Sequence, residues 1–132
     1  GKYSTDAGKW VGIRTWGATA CPCAIETTGG LSHNQRAILE IDIKAERAIE
    51  AEDLVKIADS SFSAPVKPLL KRKEEGEIVK QMHRNPKFVE DVVRSCVHGL
   101  SLKYKGMDCS VRCVSFESVH PHNVFAEWCG VL

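Results

Sequence analysis

Cys21 and Cys23 flank Pro22 in the stretch ACPCAIETTGGLSHNQR, and His33 follows across a turn containing Gly29 and Gly30. Thiolates and imidazoles are donors that borderline and soft divalent metals prefer. A catalytic metal site takes about three protein ligands and leaves a position open for water. The carboxylates of KRKEEGE (Glu74, Glu75 and Glu77) are available for the third place. The same residues fit two plainer accounts: a disulfide, or cysteines at a strand end with no chemistry. A Cys-x-Cys pair alone does not choose among the three.

The second constellation is FESVHPHN, where Glu117, His120 and His122 surround Pro121. One reading is a polar surface turn. The other is a carboxylate that hydrogen-bonds a ligand, beside imidazoles that exchange protons near neutral pH. His83 lies in a charged stretch and His98 in the last turn of a helix, where a cation is favourable, so both read as structural. Cys96 falls in a helical apolar pattern and reads as a small buried hydrophobe. Cys109, Cys113 and Cys129 read as strand residues.

The composition bounds these possibilities. A chain of 132 residues is one domain by length, with a modest core. A formal net charge of +1 gives no electrostatic argument for nucleic acid or a membrane surface. No apolar run approaches the roughly 18 residues of a membrane helix. With no secretory signal, the six cysteines read as free thiols of a cytoplasmic protein rather than three disulfides.

The elements that must position these residues follow from periodicity. Residues 9–20 read as a strand. Residues 37–48 alternate, with Leu39, Ile41, Ile43 and Ala45 on one side and Glu40, Asp42 and Lys44 on the other, which predicts a half-buried antiparallel strand. Over 51–62 the period becomes helical, through Leu54, Val55, Ile57, Ala58 and Phe62, and Pro65 and Pro68 end it. The charged residues 71–80 read as a helical turn or a loop. Asn85 as N-cap and Pro86 as first residue predict a helix carrying Phe88, Val89, Val92, Val93, Cys96, Val97 and Leu100, with Gly99 as its stop. A turn at 106–108 and strands over 109–117 and 123–131 close the chain. This order predicts an α+β fold: an antiparallel sheet with two helices across one face.

The blocks TACPCA, HNQR, SFSAPVKPLLKR, NPKFVEDVVR and FESVHPHNVFAE resemble, in the same order, those of the bacterial type IB and archaeal type IV GTP cyclohydrolases. The resemblance runs from about residue 10 to 128, and GATACPCA and SFSAP look closer to the archaeal enzyme. It implies the tunnelling fold, a four-stranded antiparallel sheet with two helices between strands two and three. Family enzymes carry two such modules per subunit, and residues 1–132 match only the C-terminal one. The resemblance also implies GTP as substrate and, as partner, either further copies of this chain or a chain carrying the first module. Open sheet edges invite such pairing.

By the same resemblance, Cys21, His33 and Glu75 are metal ligands, with Fe(II) expected and Zn(II) or Mn(II) as alternatives. Cys23 lies beside the ion and joins His120 and His122 as a catalytic candidate. Glu117 matches the residue that grips the guanine edge. Arg36, Lys71 and Arg72 are candidate triphosphate cations, with Lys67 a weaker one. The implied reaction hydrolyses GTP at C8 with release of formate. The archaeal type would yield a 7,8-dihydroneopterin 2′,3′-cyclic phosphate and the bacterial type the triphosphate. The alternative is a non-catalytic pterin- or purine-binding module.

Overall fold

The computed structural model describes residues 2–4 and 8–132. Its elements are β1 (Lys2–Ser4), β2 (Gly8–Ala20), α1 (Pro22–Thr28), β3 (Asn34–Lys44), α2 (Ala51–Ser61), β4 (Ala64–Pro65), α3 (Arg72–Arg84), α4 (Val89–Lys103), β5 (Asp108–Ser115) and β6 (Val124–Val131). The strands form one antiparallel sheet in the order β1-β2-β3-β5-β6. β4 adds a two-residue pairing to the end of β2, at Gly17 and Ala18.

The four expected strands are therefore present, and the count of four is corrected by the short β1 and β4. The count of two helices between the second and third long strands is corrected as well. Three lie there, because the charged residues 72–84 form a full helix, α3. Its side chains are almost all exposed, and Met82 is its one buried residue. With Ile78, Met82 packs on Ala18, Ala20 and Ala64. A two-residue apolar contact is too weak a pattern to mark a helix from sequence.

The alternation in β3 works as expected. Ala37, Leu39, Ile41 and Ile43 are fully buried, and they face Val111 and Cys113 on β5 and Leu54, Ala58 and Phe62 from the α2 segment. α4 closes the same core with Val92, Val93, Cys96 and Leu100. Gly17 is required here, since a Cβ at that position would sit 2.1 Å from the Phe62 ring.

Two helix-end assignments are corrected. Asn85 does not cap α4. It ends α3, its backbone N–H reaching the carbonyls of Gln81 and Met82, while its side-chain amide donates to Phe62 O and Ser63 O at 3.2 and 3.3 Å. α4 begins only after Phe88, whose N–H is taken by the Asp91 carboxylate. Gly99 is no stop either. α4 runs through it, because a Cβ there would press on Ile57 Cγ2 at 3.0 Å, so the glycine allows α2 and α4 to approach. Among the described residues no helix is long and apolar enough to cross a membrane.

Candidate functional site

The core face of the sheet continues past the apolar core toward one end. There the side chains become polar. On β2 the sequence of positions is Val11, Ile13, Thr15, Gly17, Thr19 and then Cys21. On β3, read backward, it is Ile43, Ile41, Leu39, Ala37, Gln35 and then His33. On β5 it is Cys109, Val111, Cys113, Ser115 and then Glu117. Thr19 pairs with Gln35 and Ala37 with Ser115, so the polar ends meet in register.

They line one cavity of about 260 Å³, with His120, His122, Lys87, Glu90 and the apolar Phe88, Val89 and Val124. Five of the expected site residues are thus brought together: Cys21, His33, Glu117, His120 and His122. Short-range structure fixes them. Pro22 starts α1 directly after Cys21, and Gly29 ends it in the left-handed conformation (φ 72°). The chain can then return so that the Ser32 hydroxyl accepts the Cys21 N–H at 2.7 Å and donates to His33 O at 2.6 Å. His33 Nδ1 and Gln35 Oε1 lie 2.9 Å apart, and in the neutral tautomer that donates from Nδ1 the Nε2 lone pair is left for a ligand. Ser115 donates to Glu117 Oε1 at 2.8 Å, leaving the other carboxylate oxygen available. The imidazoles of His120 and His122 stack at 5.5 Å, and His120 meets His33 edge-on at 6.3 Å.

The other expected residues lie elsewhere. Glu75 is exposed in the first turn of α3 and does not line the cavity. Among the described residues no three His, Cys, Asp or Glu side chains are grouped to hold an ion. The donor types of Cys21 and His33 suit a divalent metal, and the third expected ligand, Glu75, does not join them at the cavity. Cys23 is exposed on α1. Arg36 projects from the opposite sheet face, with its guanidinium 5.3 Å above the Trp16 ring. Lys71 and Arg72 begin α3, and Lys67 lies 4.0 Å from Glu74; none of the three lines the cavity. All six cysteines are free thiols.

Lys87, Glu90, Gln35, Thr19 and Ser115 went unnoticed in the sequence. The signal for three of them was there: period two, continued beyond the apolar run, puts Gln35, Thr19 and Ser115 at core positions. A polar residue at a core position needs a partner or a ligand. The Lys87 ammonium donates to Ser61 O at 2.8 Å and Ser95 Oγ at 3.4 Å. Burial lowers its pKa from the ordinary lysine value, opposed by the nearby Asp91 charge.

The family model described as type I GTP cyclohydrolase folE2 matches residues 2–126. GTP cyclohydrolase FolE2 of Dictyoglomus turgidum is 48% identical over 116 residues, covering 88% of this chain and 45% of that protein. GTP cyclohydrolase MptA of Pyrococcus abyssi is 41% identical over 128 residues, covering 96% of this chain and 48% of that protein. GTP cyclohydrolase MptA of Pyrococcus furiosus is 42% identical over 117 residues. The chain spans about half the length of the curated relatives it matches.

Proposed function

The chain belongs to the type I GTP cyclohydrolase folE2 family, and we propose that it is a tunnelling-fold module of a metal-dependent enzyme that opens the imidazole ring of GTP and releases formate. The observation that carries this reading is the convergence of Cys21, His33, Glu117, His120 and His122 on one cavity.

Cys21 and His33 would hold a divalent ion, Fe(II) by expectation and otherwise Zn(II) or Mn(II). Glu75 completes the set by closing onto the cavity from its exposed place on α3, and that displacement is part of the proposal. A divalent ion of this kind lowers the pKa of bound water and so supplies a nucleophile for a poor electrophile such as C8. His120 or His122 protonates the purine nitrogen as the ring opens. Glu117 accepts hydrogen bonds from guanine N1–H and the exocyclic amine, and Glu90 is a second carboxylate within the same cavity. Phe88, Val89 and Val124 give a planar base an apolar surface.

The direct experiment is formate release from GTP by the full-length protein, with and without Fe(II). Tight pterin or purine binding with no formate would establish the non-catalytic module instead. The product separates the two enzyme types: a 2′,3′-cyclic phosphate for the archaeal type, a triphosphate for the bacterial one. The identity with a bacterial FolE2 supports the second as an alternative. The cavity opens at the sheet's end and the outer edge of β6 is unpaired among the described strands, which favours assembly with another copy or with a chain carrying the first module. Light scattering on the active species measures this, and a monomer with normal turnover would overturn it.

A further inference from the structure

The carboxylates of the cavity leave one requirement of a guanine base unmet. Its recognition edge presents two donors, N1–H and the exocyclic amine, and one acceptor, the carbonyl oxygen at position six. A carboxylate accepts and cannot serve that oxygen. A site that reads guanine through Glu117 or Glu90 therefore needs a donor as well.

Among the donors at the cavity, which include the Gln35 amide and the imidazoles of His120 and His122, two are set apart by charge and by burial. Lys87 is the one lysine or arginine that lines it among the described residues. An ammonium carries three N–H groups. Those of Lys87 reach Ser61 O and Ser95 Oγ, which leaves one, and no carboxylate of the described residues lies within ion-pairing distance of it. Thr19 is 1% exposed and lines the same cavity, and its hydroxyl has no hydrogen-bond partner in the protein. The two segments abut, because the Lys87 backbone N–H donates to the carbonyl of Ala20 at 3.0 Å. A buried hydroxyl without a partner is costly and is relieved by a ligand that supplies one.

We propose that Lys87 and Thr19 form the subsite that holds the six-position carbonyl oxygen of the bound guanine. This rests on the GTP reading above and deepens it. The base, rather than the triphosphate, is the part addressed. Lys87 is half-buried beside Phe88 and Val89, and a single ammonium with one free N–H suits one carbonyl oxygen rather than a multiply charged, hydrated chain.

The test compares guanosine with 6-thioguanosine, whose sulfur is a poor acceptor, in binding to the full-length, metal-loaded protein. The unaltered protein should prefer guanosine by about tenfold, the size of one charge-assisted hydrogen bond. Lys87→Met should bind guanosine about tenfold more weakly and lose the preference. The preference is a ratio within one variant, so it is unmoved by a loss of stability from the missing bond to Ser61. Thr19→Val, nearly the same shape, should reduce the preference by a smaller factor while raising the Tm of the ligand-free protein.

An unchanged preference in Lys87→Met overturns the inference. So does a loss confined to GTP with guanosine binding intact, which would mark a phosphate contact. Guanosine binding with the expected preference but no formate release would defeat the cyclohydrolase reading and leave this subsite standing. Failure of the unaltered protein to bind guanosine overturns both.

Discussion

One sheet face holds two regions that differ only in side-chain chemistry. Under α4 it carries Leu39, Ile41, Ile43, Val111, Cys109 and Cys113, sealed from water; at its other end the same strands carry Thr19, Gln35, Ser115 and, just beyond, Cys21, His33 and Glu117. The backbone pairing is continuous between them. Cysteine makes the contrast sharpest. Burial pushes the thiols of Cys96, Cys109 and Cys113 up to about 12, so they remain neutral and unreactive. Cys21 instead lines an open cavity beside His33. Sealing, rather than residue type, separates a packing thiol from one that a ligand can reach.

The largest effect should come from the polar end. Cys21→Ala or His33→Ala should abolish metal content and formate release while leaving the unfolding midpoint close to that of the unaltered protein. Metal analysis of the purified variants checks this, and full stoichiometry in both would remove the ligand assignment. Glu75→Ala should also lose the ion, if the α3 carboxylate closes onto the cavity as proposed. Cys23→Ala should retain some of it.

The apolar end should answer in the opposite currency. Ile41→Ala, at a site with no exposed surface, should cost about 2–5 kcal/mol in denaturant unfolding with metal binding intact in the folded fraction. A cost below about 1 kcal/mol would mean this part of the core collapses onto the gap or is loosely packed. Glu117→Gln exchanges an acceptor for a donor opposite the guanine amine. It should weaken GTP binding by about 2–5 kcal/mol, the range for breaking a desolvated charge pair, with metal content unchanged. Normal affinity would hand the guanine edge to Glu90 or make Glu117 structural.

The smallest effect concerns alkaline pH. The three buried thiols titrate higher in the folded chain than in the unfolded one. Their stabilisation is therefore complete below the unfolded value, near 9, and is lost as pH rises toward about 12. Each steepens the fall in stability with pH across that window. Cys113→Val should make that fall shallower. An unchanged slope between pH 9 and 10.5 would mean the core opens before its thiols ionise.

Much of this architecture was legible because it obeys simple periods. The alternation of Leu39, Ile41 and Ile43 and the helical spacing from Val89 to Leu100 both report burial on one side of a regular element. Three features were not legible, each for a physical reason. α3 buries only Met82, so its sequence lacks an apolar stripe. Asn85 and Pro86 look like a helix start, yet the Asn85 side chain is held by the carbonyls of Phe62 and Ser63, a tertiary contact invisible to local pattern. Gly99 looks like a stop and is a close-packing point. At the site, chemistry-bearing residue types marked Cys21, His33 and Glu117. Thr19 was marked only by period two, as a polar residue at a core position, and Lys87 stayed hidden, since a lysine before a helix is ordinary until the fold brings it to the cavity.

The seam between β3 and β5 has a kinetic consequence. β2 with β3, and β5 with β6, are each neighbours along the chain and close as local hairpins, whereas residues 45–107 intervene across the seam. Closing that long loop is the entropically expensive event, and contacts of such separation set the slow phase of folding. Cys21 and His33 belong to the first hairpin, Glu117, His120 and His122 to the second, and Lys87 to the stretch between. Pulsed hydrogen exchange during refolding should therefore protect amides of both hairpins before those that bridge β3 and β5. Simultaneous protection would contradict it. A nascent chain on this route has no such cavity until its last long-range pairing is made.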